Sequence, residues 1–275
     1  FRGSVHIPDG EAKRIWQRFG VTFGSDSNAL TTPTQTVYKL DLPSATETSL
    51  DDTIKLLSGM MRAPAINNEA VRSERGVTMA ELRENDGPQS RISDALIGHM
   101  MAGTLLADRR PIGTVESLAK AEAGAVSAFH NRWYRPERAV IVVSGDGDPQ
   151  KFVELIKRHF GDWKGKGANP NEPQTGKLDR SAPEVRNIVE AGQPVGLSLA
   201  WVRPWVKRVD TLDNSYRLYM EYLAQALVNR RLENQARRGG SFLVATASQE
   251  YTSRIVDTTL VNIVPVGDWK AALAD

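Results

Sequence analysis

Glu74 and Glu81 stand seven residues apart in the stretch Ser73-Glu-Arg-Gly-Val-Thr-Met-Ala-Glu81. On a helix seven residues return to the same face, with a drift of about 20°. On that wheel Ala70 and Val77 flank the two carboxylates on one side, and Val71, Thr78 and Leu82 on the other. Arg72, Gly76 and Arg83 lie opposite. Acids in an apolar stripe are costly to bury unless something positive meets them. A metal ion would serve, and so would a basic partner. Ordinary salt bridges, or a stripe left open to water, would also account for them, because Glu pairs at this spacing are common on helices.

No other group in the chain makes a metal site unaided. The four histidines are His6, His99, His130 and His159, and no two are three or four apart, so no helix presents a pair. His130 precedes an aromatic run and His159 adjoins Phe160, which fits packing or surface roles. Without cysteine, a thiolate zinc site is excluded, and the compartment stays open. Asp146-Gly-Asp148 has the look of a calcium loop's opening, but the later ligands do not follow, so it reads as a strand-to-helix turn. There is no phosphate-cradling glycine loop. A net charge of +2 makes no case for nucleic acid or an acidic membrane. The cluster Arg230, Arg231, Arg237 and Arg238 reads as a helix end, where cations suit the macrodipole, and Glu233 dilutes it. Apolar runs such as Ala139–Val143 are too short to cross a bilayer, so no membrane insertion is expected. No signal peptide is visible, and a start without methionine reads as processing or excision from something longer.

Periodicity and punctuation place helices over Glu11–Phe19, from Ser49 to Met61 with Ser49 as cap, and from Asn67 or Asn68 to about Asn85. Further helices are predicted over Ser90–Met101, Val115–Trp133 and Gln150–Phe160. Thr36–Leu40 reads as a strand and Ala139–Ser144 as a buried one. Residues 164–184 are rich in Gly, Pro, Asn and Lys, a linker composition. Beyond them come a strand with Val195, Leu197, Leu199 and Trp201 alternating, and a helix over Ser215–Arg238. The buried face of that helix is expected at Leu218, Tyr222, Leu223, Leu227 and Leu232. Strands at Phe242–Gln249 and Thr258–Val266 follow, then a helix capped by Asp268. The fold class is α+β, with domains at 1–163 and 185–275, the second incomplete.

Several motifs occur in a fixed order: Phe1-Arg-Gly-Ser4, Phe23-Gly-Ser-Asp-Ser-Asn-Ala-Leu-Thr31, Thr36-Val-Tyr38, Arg110-Pro-Ile-Gly-Thr114, Trp133-Tyr-Arg-Pro136 and Ala139-Val-Ile-Val-Val-Ser-Gly-Asp146. In this order they resemble the pitrilysin/insulinase family of zinc metallopeptidases. The resemblance is strong over 1–163 and continues more weakly from about 185 to 275. It implies two tandem related α+β units, each an antiparallel-rich sheet with helices on one side.

In that family zinc is held by His-x-x-Glu-His and by a glutamate on a later helix. Glu81 matches that third ligand, and Glu74 matches the carboxylate that supports the site. The edge strand Asn28, Ala29, Leu30 and Thr31 matches the one to which an extended peptide substrate adds by β-augmentation. Local sequence alone reads the same segment as a turn and a strand, with Asn28 in a turn role.

The His-x-x-Glu-His motif, normally just upstream of a Phe-Arg-Gly-Ser stretch, is absent. The 275 residues are therefore expected to be inactive and without bound Zn2+, although the parent is expected to be a zinc endopeptidase. A second half, on the same chain or a partner subunit, is implied, as is an exported, soluble bacterial protein, with the periplasm as the expected compartment. The alternative is a noncatalytic subunit or peptide-binding scaffold of the same superfamily.

Overall fold

The computed structural model describes residues 3–22, 24–179 and 183–275, so Phe1, Arg2 and Phe23 of the quoted motifs lie outside the described residues. The elements run α1 Glu11–Arg18, β1 Ser27–Thr31, β2 Thr36–Leu40, α2 Glu47–Arg62, α3 Asn68–Glu84, α4 Pro88–Met100, α5 Val115–Ala119, α6 Ala123–Trp133 and α7 Pro149–Phe160. They continue with β3 Leu197–Pro204, α8 Leu212–Arg237, β4 Phe242–Thr252, β5 Val256–Pro265 and α9 Trp269–Ala274. Mixed helices and antiparallel sheets bear out the α+β class. Two compact units form, one from 1–84 with 111–173 and one from 85–110 with 174–275.

In the first unit α1 turns Ala12 and Trp16 inward, where they join Ile7, Val21 and Leu56; Ile15, Phe19, Leu40 and Met60 pack around them. β1 and β2 form an antiparallel pair, Ser27 opposite Leu40 and Thr31 opposite Thr36. α2 begins earlier than expected. Its cap is Thr46, not Ser49: the Thr46 hydroxyl accepts the Ser49 N–H while Ser49 Oγ accepts the Thr46 N–H. This reciprocal box satisfies two otherwise orphan amides.

The helix expected over Val115–Trp133 is two helices. α5 closes through Ala121 N–H to Leu118 O, Glu122 is extended, and α6 starts afresh. Ala139–Ser144, expected as a buried strand, has no ladder partner among the described residues. Val140 is 87% exposed and Val142 83%, against 40% for Ile141 and 39% for Val143. The backbone is laid out with a strand's alternation, but a strand requires a neighbour to take its hydrogen bonds.

In the second unit β5 lies between β3 and β4, all antiparallel. Phe242, Ala245, Ile263 and Ala272 form a core that Leu232 and Ala236 of α8 help to cover. Of the face predicted for α8 only Leu232 reaches this core; Tyr222 and Leu227 are exposed, and no residue of the helix is buried. Met101, Leu106 and Val256 make a second cluster. Part of the 164–184 stretch is tied down: Leu105 N–H bonds to Thr175 O, and Asp179 N–H to Ala102 O.

Candidate functional site

α3 carries both glutamates. Its first turn is fixed by Asn67 Oδ1, which accepts the Ala70 N–H at 2.8 Å, and its middle by Arg75, which donates to the Ala119 carbonyl at 2.9 Å. Thr78 Oγ1 donates to the Glu74 carbonyl. No residue of the helix is buried, and Val77, expected to help enclose the acids, is 56% exposed. The stripe read from the sequence is therefore open, and both Glu74 and Glu81 are exposed. Spacing set the face correctly. Enclosure needs a second surface laid closely over that face, and the described residues leave both carboxylates exposed.

A cavity of about 450 Å³ in the first unit brings Glu74 together with Asn28 and Ala29 of β1. Trp16, Leu57 and Met60 give it an apolar side, and Tyr38 a polar one. Glu81, Leu30 and Thr31 do not line it. β1 pairs only with β2 among the described residues, so one of its edges is open. Asn28 Oδ1 accepts the N–H of Ala29 at 2.8 Å, while its Nδ2 reaches the Gly24 carbonyl at 3.4 Å.

Tyr38 was not singled out as a site residue from the sequence. Its hydroxyl lies 3.0 Å from that of Tyr134. Burial, then the Tyr134 hydroxyl, pushes the Tyr38 pKa well above the ordinary phenol range, so Tyr38 stays protonated and acts through hydrogen bonding alone. The available signal was its place on the alternate-residue face of β2, inside a quoted motif.

A catalytic zinc needs three protein ligands and an open position. Among the described residues no group of three His, Cys, Asp or Glu side chains could hold a metal ion. Glu74 and Glu81 offer carboxylate oxygens of the right kind but too few of them, so these residues do not by themselves make a catalytic zinc site. No helix of the described chain is long and apolar enough to cross a membrane.

Comparison with known proteins agrees along the sequence. The family model described as Insulinase (Peptidase family M16) matches residues 1–109, and that described as Peptidase M16 inactive domain matches residues 120–264. The probable zinc protease PqqL of Escherichia coli is 27% identical over 242 residues, which is 87% of this chain and 26% of that protein. The crystal structure of the periplasmic protease PqqL from Escherichia coli superposes with a TM-score of 0.82 at 23% identity, over 96% of this chain and 29% of that one. The crystal structure of the first half of that protease gives 0.80 at 23% identity, over 96% of this chain and 56% of that one. The chain thus spans about a quarter of the length of the first curated relatives it matches. Motif order, α+β architecture and both family models converge: the chain belongs to peptidase family M16, the insulinase family.

Proposed function

We propose that this chain is part of a zinc-dependent endopeptidase acting on peptides or small unfolded proteins. The observation that carries the reading is the cavity shared by Glu74, Asn28 and Ala29. A carboxylate and a strand edge without a partner among the described residues stand together there, which suits the binding of an extended peptide. β1 would hold the substrate through main-chain hydrogen bonds, which demand little of its sequence. Glu81 would give one oxygen to the zinc, and Glu74 would orient the site from behind. The remaining donors, of the His-x-x-Glu-His kind, would come from outside the described residues. The relatives' description as zinc proteases supports this.

On this reading residues 1–163 and 185–275 are two related domains joined by 164–184, and a second half closes over the substrate. The periplasmic location of the Escherichia coli protease in the structural comparison supports an exported protein. The 275 residues alone do not hydrolyse peptides. The test measures zinc content and cleavage of a quenched fluorescent peptide by this chain alone and by the longest natural chain containing it. Zinc-dependent cleavage by the 275 residues alone would overturn the ligand assignment. A longer chain with neither zinc nor cleavage would favour a noncatalytic M16-like scaffold.

A further inference from the structure

The segment Ala139–Ser144 of the first unit has the form of a strand without a strand's partners. Val140, Ile141, Val142, Val143 and Ser144 make no main-chain hydrogen bond among the described residues. We infer that this segment is an inner strand of a larger sheet, and that its pairing partner is an extended apolar segment of the same longer polypeptide, outside these 275 residues. The inference rests on the reading of the chain as part of a longer protein and does not depend on that protein's being a peptidase.

Composition makes the first argument. Ala139–Val143 carries no charge, and Val140, Ile141, Val142 and Val143 are all β-branched. Strands at the edge of a sheet are usually guarded by charged side chains or proline, and this run has neither. A continuous run of this kind belongs to strands covered on both faces. Ile141 and Val143 are less than half as exposed as Val140 and Val142, so one face has partial cover and the other almost none.

Construction makes the second. The segment is held extended from its two ends. Upstream, Arg138 donates to Asn169 Oδ1 at 3.0 Å, to Glu172 at 2.6 Å and to the Pro170 carbonyl at 2.5 Å. The buried Arg135 donates to the carbonyls of Lys166 at 2.7 Å and Gly167 at 2.9 Å. Ala139 is already extended, with φ −104° and ψ 139°. Downstream, Asp148 accepts the Gln150 N–H at 2.9 Å to start α7, and Gly147 lies so close to the Phe152 ring that a Cβ there would collide with it. Residues stretched between two fixed points lose little freedom on pairing.

Chain length names the occupant. The chain spans about a quarter of the first curated relatives it matches. In the solved first half of the Escherichia coli protease, 96% of this chain accounts for 56% of that one, so that half carries further chain beside the shared fold. A second copy would set six residues against six, where a stable interface engages about 20–30 on each side. A substrate peptide would leave the run bare again after every turnover.

The test follows amide hydrogen exchange at residues 139–144 in the longest natural chain that contains them, with and without a slowly cleaved peptide and over a hundredfold range of protein concentration. In the same chain, p-benzoylphenylalanine placed at position 142, then photolysis and mass spectrometry, identifies the neighbour. Expected is exchange at 140–144 at least a hundredfold slower than in an unstructured peptide of the same sequence, unchanged by dilution or by peptide. The cross-link should fall within one molecule, on a segment outside the 275 residues. Unprotected amides, or a cross-link back onto the 275 residues, would overturn the proposal. So would protection that fades on dilution with cross-links between molecules, which marks a second copy, or protection seen only with peptide, which marks a substrate edge. Neither readout needs zinc or cleavage, so a zinc-free chain with 140–144 protected would sink the peptidase reading and leave this one standing.

Discussion

Asn28 turns its side-chain carbonyl back onto the main chain and accepts the N–H of Ala29 at 2.8 Å. At the Glu74 cavity β1 thus has an amide occupied by its own neighbour. An incoming strand would compete for that donor, and displacement of the Asn28 amide would accompany binding. In the longer natural chain, a slowly cleaved peptide at saturation should slow hydrogen exchange at residues 28–31. Unchanged exchange with peptide demonstrably bound would remove β1 from the substrate path.

The two glutamates should separate in their effect on metal. With Glu81 as the proposed zinc ligand, Glu81→Gln in the longer natural chain should abolish stoichiometric zinc and activity, because the ligand charge would be lost. Glu74→Gln should weaken both by roughly 10- to 100-fold, the usual scale for a supporting carboxylate. Metal analysis with an activity assay checks this; full zinc in Glu81→Gln contradicts the assignment.

Asp51 joins α2 to α7. Its Oδ1 lies 2.9 Å from His159 Nε2 and 2.9 Å from Arg158. The hydrogen bond from His159, followed by Arg158, holds its pKa below the ordinary carboxylate value, with burial opposing. A folded-state pKa below the unfolded one means stability present above the unfolded value, about 3.9, and lost as pH falls through the folded one. Asp51→Asn should cost on the order of 1 kcal/mol at pH 6 and lose less than wild type between pH 5 and pH 2.5. Urea midpoints across that range measure it.

Ser253 and Arg254, at the tip joining β4 to β5, both have positive φ, 54° and 55°. The turn closes with Ile255 N–H on Thr252 O at 3.0 Å. This is backbone that asparagine and glycine adopt with less strain. Ser253→Asn with Arg254→Gly should stabilise by about 1–2 kcal/mol, read as a higher melting temperature; a lower one would contradict the strain.

Gly103 and Gly176 lie where 102–105 crosses 174–179, at φ 81° and 82°. A Cβ on Gly103 would strike the Lys177 carbonyl, and one on Gly176 the carbonyl of Gly103. Gly103→Ala should cost on the order of 2–3 kcal/mol, whereas Gly124→Ala, with open space around it, should cost little. Denaturant unfolding of the two variants gives the comparison.

Several local signals are legible in the sequence, although the cap of α2 lies at Thr46 and not at Ser49. Gly20 after α1, the Asp148-Pro149 start of α7 and the Asp268 cap of α9 act through a residue or two, and each stands where expected. Signals that need a distant surface fail. Apolar residues at 139–144 and along α8 mark faces suited to burial, but burial is a relation between two surfaces. The candidate site divides in the same way. Helical spacing put Glu74 and Glu81 on one face, and the family resemblance put Asn28 at the site, where the cavity joins it to Glu74 and not to Glu81. The Tyr38–Tyr134 contact joins residues 96 positions apart and left no local trace.

The bare valines at 140 and 142 carry a practical consequence. A row of amides and carbonyls without a ladder partner among the described residues, flanked by β-branched side chains, invites a passing strand, including the same stretch of another molecule. At high concentration these residues should seed association that grows with time and temperature. A lysine at position 142 should keep preparations clear and monodisperse for longer.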